Sequence, residues 1–377
     1  MPAADVGPAD GVFVSQASYI ITGGLGGVGL ALVDWLIDVQ QVEASNIVIF
    51  SRRKHDDPTG PRGARVIQAD VSDGVSLLGN DALRELGDVA GIFHLAGVLD
   101  DGLISSMTPE RLTKTVQPKA SGAMNLMNLA VEAGWDVEFM LCFSSTSSLG
   151  GYAGQANYCA ANAVLDHLGQ GWQLPSATSP GSSSSASADS MKMISVNFGP
   201  WSEAGMAAEG TRAHQLSLES GQIPMSNASG MRCIGAVLLH ALSQPDAAAM
   251  QFAVCSCDWA ATPWAGMPLL SHCYDPSAAV DVNDGDSGSD DDSDSGAPEQ
   301  IEGDSSAVVA FMRDRVPGRW DLRETLSELG MDSLDTVQLR NGFNKAFSPA
   351  APAKMALFTD PSMKLGELVR ALEEIVE

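Results

Sequence analysis

No stretch of this sequence reaches the roughly 18 consecutive apolar residues that a bilayer-spanning helix requires, so no membrane span is expected. Basic residues are scarce: Lys and Arg total 21 against 47 Asp and Glu, for a formal net charge of -26. Such a balance repels nucleic-acid phosphates rather than neutralising them, so nucleic acid is not an expected partner. The six cysteines are scattered, and Cys255 and Cys257 stand too close for a CxxC motif. They read as free thiols in a reducing compartment. The N-terminal MPAADVGPADG lacks the basic and apolar regions of a secretory signal, so a soluble, cytoplasmic protein is expected. The acidic run DSGSDDDSDSG lacks the ordered loop and terminal bidentate Glu of a calcium hand, and no metal site is expected.

What is present is a repeated alternation. SYIITGG, NIVIFSRR, ARVIQAD, AGIFHLAG, VEFMLCFSS, MKMISVNFGP and MQFAVCSCDW each read as a strand rich in β-branched or large apolar residues. Helical segments separate most of them; Val28, Leu32 and Leu36 recur at four-residue steps. Seven strands with helical crossovers predict an α/β unit over 11–275, a mostly parallel sheet covered on both faces. The Ser-rich tract 175–190 reads as a surface insertion in that unit, and 276–303 as an acidic, extended tether. Residues 304–377 read as a small helical bundle, with Leu339, Phe343 and Phe347 in steps of four.

TGGLGGVG, Thr22 to Gly29, follows an apolar strand and opens an amphipathic helix. Gly24, Gly26 and Gly29 satisfy GxGxxG, and Gly23, Gly27 and Gly29 the TGxxxGxG variant; Leu25 lies between them. Glycine at these positions lets backbone approach a pyrophosphate at a helix N-terminus. Ser51-Arg52-Arg53 ends the second strand, where a site for NAD would place an acidic residue. Two guanidiniums there favour the 2′-phosphate of NADPH. Asp70-Val71 is placed to meet the adenine edge. His94-Leu95-Ala96-Gly97 closes the fourth strand, where small Ala96 and Gly97 let the cofactor lie close.

In FSSTSSLGGYAGQANYCAANAVLDHL, Ser145, Tyr158 and Asn162 are spaced 13 and 4 apart, with Lys119 upstream in VQPKASGAMNL. This set resembles the short-chain dehydrogenase/reductase superfamily, and more closely the ketoreductase domains of polyketide synthases. In those domains Tyr-x-x-x-Asn replaces Tyr-x-x-x-Lys and the lysine comes from an earlier helix. The resemblance implies a Rossmann-type doubly wound sheet and reduction of a carrier-bound β-ketoacyl thioester. Tyr158 would donate the proton, Ser145 would hold the carbonyl oxygen, and Asn162 would position the lysine or a relay water. A Lys119 ammonium beside Tyr158 would favour the phenolate. NFGPWSEAGMA, from Asn197, resembles the segment flanking the nicotinamide and adds Pro200 and Trp201 to the cofactor residues.

Leu99-Asp100-Asp101 matches the signature of B-type ketoreductases, which implies a D-configured β-hydroxyl. Gly150 stands where the opposite type carries tryptophan, and Ala160 where epimerising forms carry proline. From the residues alone, Asp100 and Asp101 read as a polar loop or a helix cap. Family members carry a structural subdomain ahead of the catalytic one, whereas about twenty residues precede the TGGLGGVG strand here. The expectation is an excised piece of a larger synthase, or a partner chain that supplies the missing half. LGMDSLDTVQLRN resembles the attachment motif of acyl carrier proteins, which implies 4′-phosphopantetheine on Ser333, placed by a phosphopantetheinyl transferase, and other synthase domains as partners. The competing expectation is a non-catalytic carrier and docking module that keeps the reductase fold as scaffold. The intact Lys119, Ser145, Tyr158 and Asn162 set argues against it.

Overall fold

The computed structural model describes residues 12–14, 16–53, 59–171, 191–206 and 208–258, and positions 262, 264 and 267. Toward the C-terminus it describes 307–316, 323–329, 331, 333–347, 353–354, 357–358, 360 and 362–376. The expected insertion at 175–190 and tether at 276–303 lie outside the described residues. Two compact units divide the chain: Met1–Asp101 with Met107–Pro276, and Gly102–Ser106 with Ser277–Glu377.

The strands of the first unit are β1 (Ser18–Thr22), β2 (Ile47–Ser51), β3 (Arg65–Gln68), β4 (Val89–His94), β5 (Phe139–Ser145), β6 (Lys192–Phe198), β7 (Gln222–Ile223), β8 (Ala249–Val254) and β9 (Ser256–Cys257). Its helices are α1 (Gly27–Asp38), α2 (Gly74–Leu78), α3 (Asp81–Arg84), α4 (Pro109–Val116), α5 (Gly122–Ala133), α6 (Ser147–Gly150), α7 (Ala156–Gly169), α8 (Arg212–Glu219) and α9 (Asn227–Leu242). Seven strands pair in the order β3-β2-β1-β4-β5-β6-β8, every pair parallel, while β7 and β9 form a short antiparallel pair. Each of the seven strand segments read from the sequence contributes one strand to this sheet.

Alternation along the strands sorts side chains onto two faces. Tyr19 and Ile21 of β1 join Ile47, Ile49, Phe93, Leu141 and Val196 beneath Leu32 and Leu36 of α1 and Ile234 and Leu238 of α9. Ile20, between them in sequence, points the other way and packs with Val48, Ile92 and Met140 against Leu126 and Leu129 of α5 and Leu165 of α7. Each such side chain, fully buried, contributes about 1.5–3 kcal/mol, and a one-residue slip would exchange the faces.

The strand order turns outward at β1, with β2 built to one side and β4 to the other. That reversal opens a crevice beyond the carboxyl ends of β1 and β4, the usual ligand position in such sheets. Between α4 and α5 the chain makes a π-helical turn, Gln117–Ser121. Pro118 in that turn has no amide hydrogen to offer, and the widened turn brings Lys119 into the interior.

In the second unit, α10 (Ala307–Arg315), α11 (Ser333–Phe347) and α12 (Leu365–Val376) share one apolar core. Val308, Phe311, Met312, Leu339, Phe343, Leu365, Leu368 and Leu372 form it.

Candidate active site

The glycine turn is built as a close approach. Gly26 N–H donates to the Gly23 carbonyl at 2.9 Å, and Gly23 takes φ +70°, a conformation that favours glycine. A Cβ on Gly29 would fall 2.5 Å from Gly24 Cα, so helix and turn can meet only if that residue is glycine. No side chain caps the N-terminus of α1, and its first turn holds no acidic residue. Its free amides therefore suit a phosphate group. The loop after β6 crosses this helix start: a Cβ on Gly27 would lie 3.0 Å from Gly205 N. Trp201 of that loop is buried, its ring packed over Gly230 and 5.5 Å from the Phe198 ring, so its indole serves the core.

At the end of β2, Arg52 and Arg53 are both exposed. Arg52 lines an open recess of about 480 Å³ with Asp70, Ser72, Glu110, Lys114 and Gln117. Asp70 Oδ1 accepts from Ser72 N–H at 2.9 Å, which holds the turn after β3, and Val71 is buried there. The uncapped helix start and the glycine cradle fit the pyrophosphate of a dinucleotide.

Thr22, His94 and Ala96, expected beside the cofactor, are joined to one another. Thr22 Oγ1 lies 2.8 Å from His94 Nδ1 and accepts from Ala96 N–H at 3.1 Å, while His94 Nε2 lies 2.9 Å from the Lys119 carbonyl oxygen. A carbonyl can only accept, so Nε2 carries the proton and Nδ1 accepts from the threonine hydroxyl. Burial lowers His94 to about 4 and keeps it neutral. Gly97 also makes room for the lysine: a Cβ there would meet Lys119 Cε at 2.9 Å.

Four residues meet where β5 ends. Ser145 is its last residue, Tyr158 and Asn162 lie one turn apart on α7, and Lys119 projects from the π turn. Lys119 is 3% exposed, and its Nζ donates to the Phe143 carbonyl at 2.7 Å and stands 5.3 Å from the Tyr158 ring centre. Burial depresses its pKa to about 8, partly opposed by Cys142 and Asp166. For Tyr158 the expected lowering is reversed. Burial raises the phenol, hydrogen bonds with Asn162 and Ser145 oppose it, and Asp101 adds to the rise. The lysine ammonium is hydrogen-bonded to a carbonyl and stands across the ring from the phenol, which burial holds in its protonated form. Asn162 donates Nδ2 to the Tyr158 carbonyl at 2.9 Å, and its Oδ1 is buried with no partner among the described residues.

Leu99-Asp100-Asp101 is pinned by partners that the sequence does not single out. Asp100 pairs with Arg111 at 2.8 Å and Lys114 at 2.9 Å, both on α4, which hold its carboxyl below the usual range. Asp101 accepts from Gln155 Nε2 at 3.0 Å, and burial raises its carboxyl. Asn157, fully buried, donates to the Asp100 carbonyl at 2.8 Å and to Thr115 Oγ1 at 3.0 Å, and accepts from Tyr158 N–H at 2.9 Å. It thereby ties the loop to α7. Only its place beside Tyr158 could have drawn attention to it. At Gly150 a Cβ would fall 1.9 Å from Trp264 Nε1, so an indole from elsewhere in the chain fills that space. Ser333 is the first residue of α11.

Comparison with known proteins gives the fold its relatives. Residues 17–203 match the KR domain family. The chain is 29% identical over 385 residues to one of the phenolphthiocerol/phthiocerol polyketide synthase subunits of Mycobacterium tuberculosis (strain CDC 1551 / Oshkosh), covering 94% of this chain and 19% of that protein. It thus spans about a fifth of the length of that relative. Among solved structures, the ketoreductase from the first module of phoslactomycin biosynthesis in Streptomyces sp. HK803 superposes with a TM-score of 0.52 at 26% identity, over 67% of this chain and 55% of that one. An A-type ketoreductase from a modular polyketide synthase gives 0.52 at 26%, over 68% and 51%. Residues 17–203 are a KR domain of the polyketide-synthase kind, on the fold of the short-chain dehydrogenases/reductases.

Proposed function

We propose that this chain reduces a β-ketoacyl thioester, held on phosphopantetheine, to the β-hydroxyacyl thioester with NADPH as reductant. The observation that carries this reading is the convergence of Ser145, Asn162 and Lys119 on the Tyr158 phenol. NADPH supplies the hydride when bound. Gly23, Gly24, Gly26, Gly27 and Gly29 would hold its pyrophosphate, with Arg52 and Arg53 at the 2′-phosphate.

As charge develops on the substrate's carbonyl oxygen, the hydroxyls of Ser145 and Tyr158 stabilise it, and Tyr158 transfers its proton. Burial keeps that proton on the phenol until it is needed. The ammonium of Lys119, across the ring, then steadies the phenolate left behind. Asn162 Oδ1, buried without a partner among the described residues, suits a water that returns the proton.

The second part of the reading makes Ser333 the attachment point for 4′-phosphopantetheine, added by a phosphopantetheinyl transferase. Its place at the start of α11 within LGMDSLDTVQLRN supports this, as does an alignment that runs well beyond the KR region. Leu99-Asp100-Asp101 supports a D-configured product. Other synthase domains, in a cytoplasmic assembly, would supply the keto substrate.

The test is turnover of a β-ketoacyl N-acetylcysteamine thioester, followed by NADPH absorbance. Tyr158→Phe keeps the ring and removes the proton, and turnover should fall about 10²–10⁴-fold with NADPH binding retained. Equal rates for the two proteins would refute Tyr158 as the proton donor.

A further inference from the structure

One buried carboxylate in this unit has no part in the chemistry above. Tyr158, Asn162 and Asp166 follow one another at four-residue steps and share one face of α7. Asp166 is 6% exposed, and among the described residues no lysine or arginine pairs with it. Its partners are neutral. Ser195 Oγ donates to Oδ1 at 2.8 Å, Asn197 Nδ2 lies 2.9 and 2.8 Å from the two oxygens, and Ser148 Oγ lies 2.5 Å from Oδ2. A carboxylate removed from water is costly unless such donors surround it.

Two of those partners also reach the main chain of the site. Ser148 Oγ is 2.7 Å from the Ser145 carbonyl oxygen, its one hydrogen shared between that oxygen and Asp166, and Asn197 Nδ2 is 3.2 Å from the same carbonyl. Asn197 Nδ2 is also 3.1 Å from Ser144 Oγ, which donates to the Asn162 carbonyl at 3.3 Å. Gln251 Nε2 donates to Asn197 Oδ1 at 2.9 Å and so fixes which way the amide faces. The carboxylate therefore gathers groups from α6, β6 and α7 around the residue that ends β5. On the reductase reading given above, we propose that Asp166 is a positioning residue: through Ser148 and Asn197 it fixes the backbone that carries Ser145 and Asn162.

The same carboxylate reaches Lys119 electrostatically. Titratable groups around the lysine are His94 on β4, Cys142 on β5, and Tyr158 and Asp166 on α7. Burial lowers the lysine, and Asp166 is one of the two groups that oppose that effect. Asp166→Asn keeps shape and removes charge, so the Lys119 midpoint should move below about 8. Ser148→Ala removes one link to Ser145 and leaves the carboxylate.

The experiment combines both variants. Lys119 is titrated by ¹³Cε NMR in the cofactor-free protein, with Lys119→Met to assign the signal. kcat and KM are then measured on the thioester with NADPH. Asp166→Asn should lower the Lys119 midpoint, and each variant should cut kcat by about tenfold or more with little change in KM for NADPH, as expected when reacting groups are displaced slightly. Combined, the two should cost no more than the worse single change, because they act through one link. An unmoved Lys119 midpoint in Asp166→Asn, or kcat in either variant equal to that of the unmodified protein, overturns the proposal. If Asp166→Asn does not fold, Ser148→Ala decides alone, and an unchanged kcat there overturns it. Failure of the unmodified protein to oxidise NADPH would instead sink the reductase reading, and the Lys119 titration would still judge the role of Asp166.

Discussion

Lys119 is enclosed almost completely, and that enclosure sets how the site should answer to pH. With its ammonium depressed to about 8, the cation is present below that value and lost as pH rises through it. If the cation steadies the Tyr158 phenolate, log kcat should be flat below about pH 8 and fall with unit slope above it. A profile still flat at pH 9.5 would remove Lys119 from the mechanism. The exposed guanidiniums of Arg52 and Arg53 make a separate claim. One charge-assisted bond to a 2′-phosphate contributes about 1.5 kcal/mol or more, so NADPH should bind more tightly than NADH by at least roughly tenfold. Replacing both arginines with alanine should erase most of that margin in a fluorescence titration. Equal affinities in the unmodified protein would show the recess to be indifferent to the phosphate.

Between elements, the Thr22–His94–Lys119 chain fastens β1, β4 and the π turn together, and it carries a stability prediction of its own. The folded-state pKa of His94 is lowered from 6.5 to about 4 by burial. Its contribution is therefore whole above pH 6.5 and is lost as pH falls toward 4, where the unfolded chain takes up a proton that the folded one refuses. The loss amounts to about 3 kcal/mol at most, and denaturant titrations at pH 7.5 and 5 should show about two-thirds of it. His94→Gln should flatten that pH dependence, and an equal fall in the variant would place its origin elsewhere. This linkage also shows where reading a sequence stops. The sheet is legible because β-branched runs and four-residue steps are local signals, and the glycine cradle because close approach admits no other residue. Lys119, Ser145, Tyr158 and Asn162 are legible as a spaced set. The partners of Asp100, the contacts of Asn157 and the hydrogen bonds of Asp166 are not, since each depends on residues brought together by the sheet. Trp201 and Gly97 likewise acquire their neighbours only on folding.

At the scale of the whole molecule, two compact units lie in one chain, one with a KR domain and one whose helix α11 begins at Ser333. On the reading proposed above, a substrate covalently held in the same chain as its reductase would be present at a high effective concentration, so modest affinity for the acyl group would suffice. The most direct measurement is the intact mass of the chain after loading by a phosphopantetheinyl transferase with β-ketoacyl-coenzyme A, before and after addition of NADPH. The account predicts one acyl-phosphopantetheine on Ser333, absent from Ser333→Ala. NADPH should then add the mass of two hydrogens to the loaded chain, quickly in the unmodified protein and about 10²–10⁴-fold more slowly in Tyr158→Phe. Loading that persists in Ser333→Ala, or a loaded chain whose mass NADPH leaves unchanged, would contradict it.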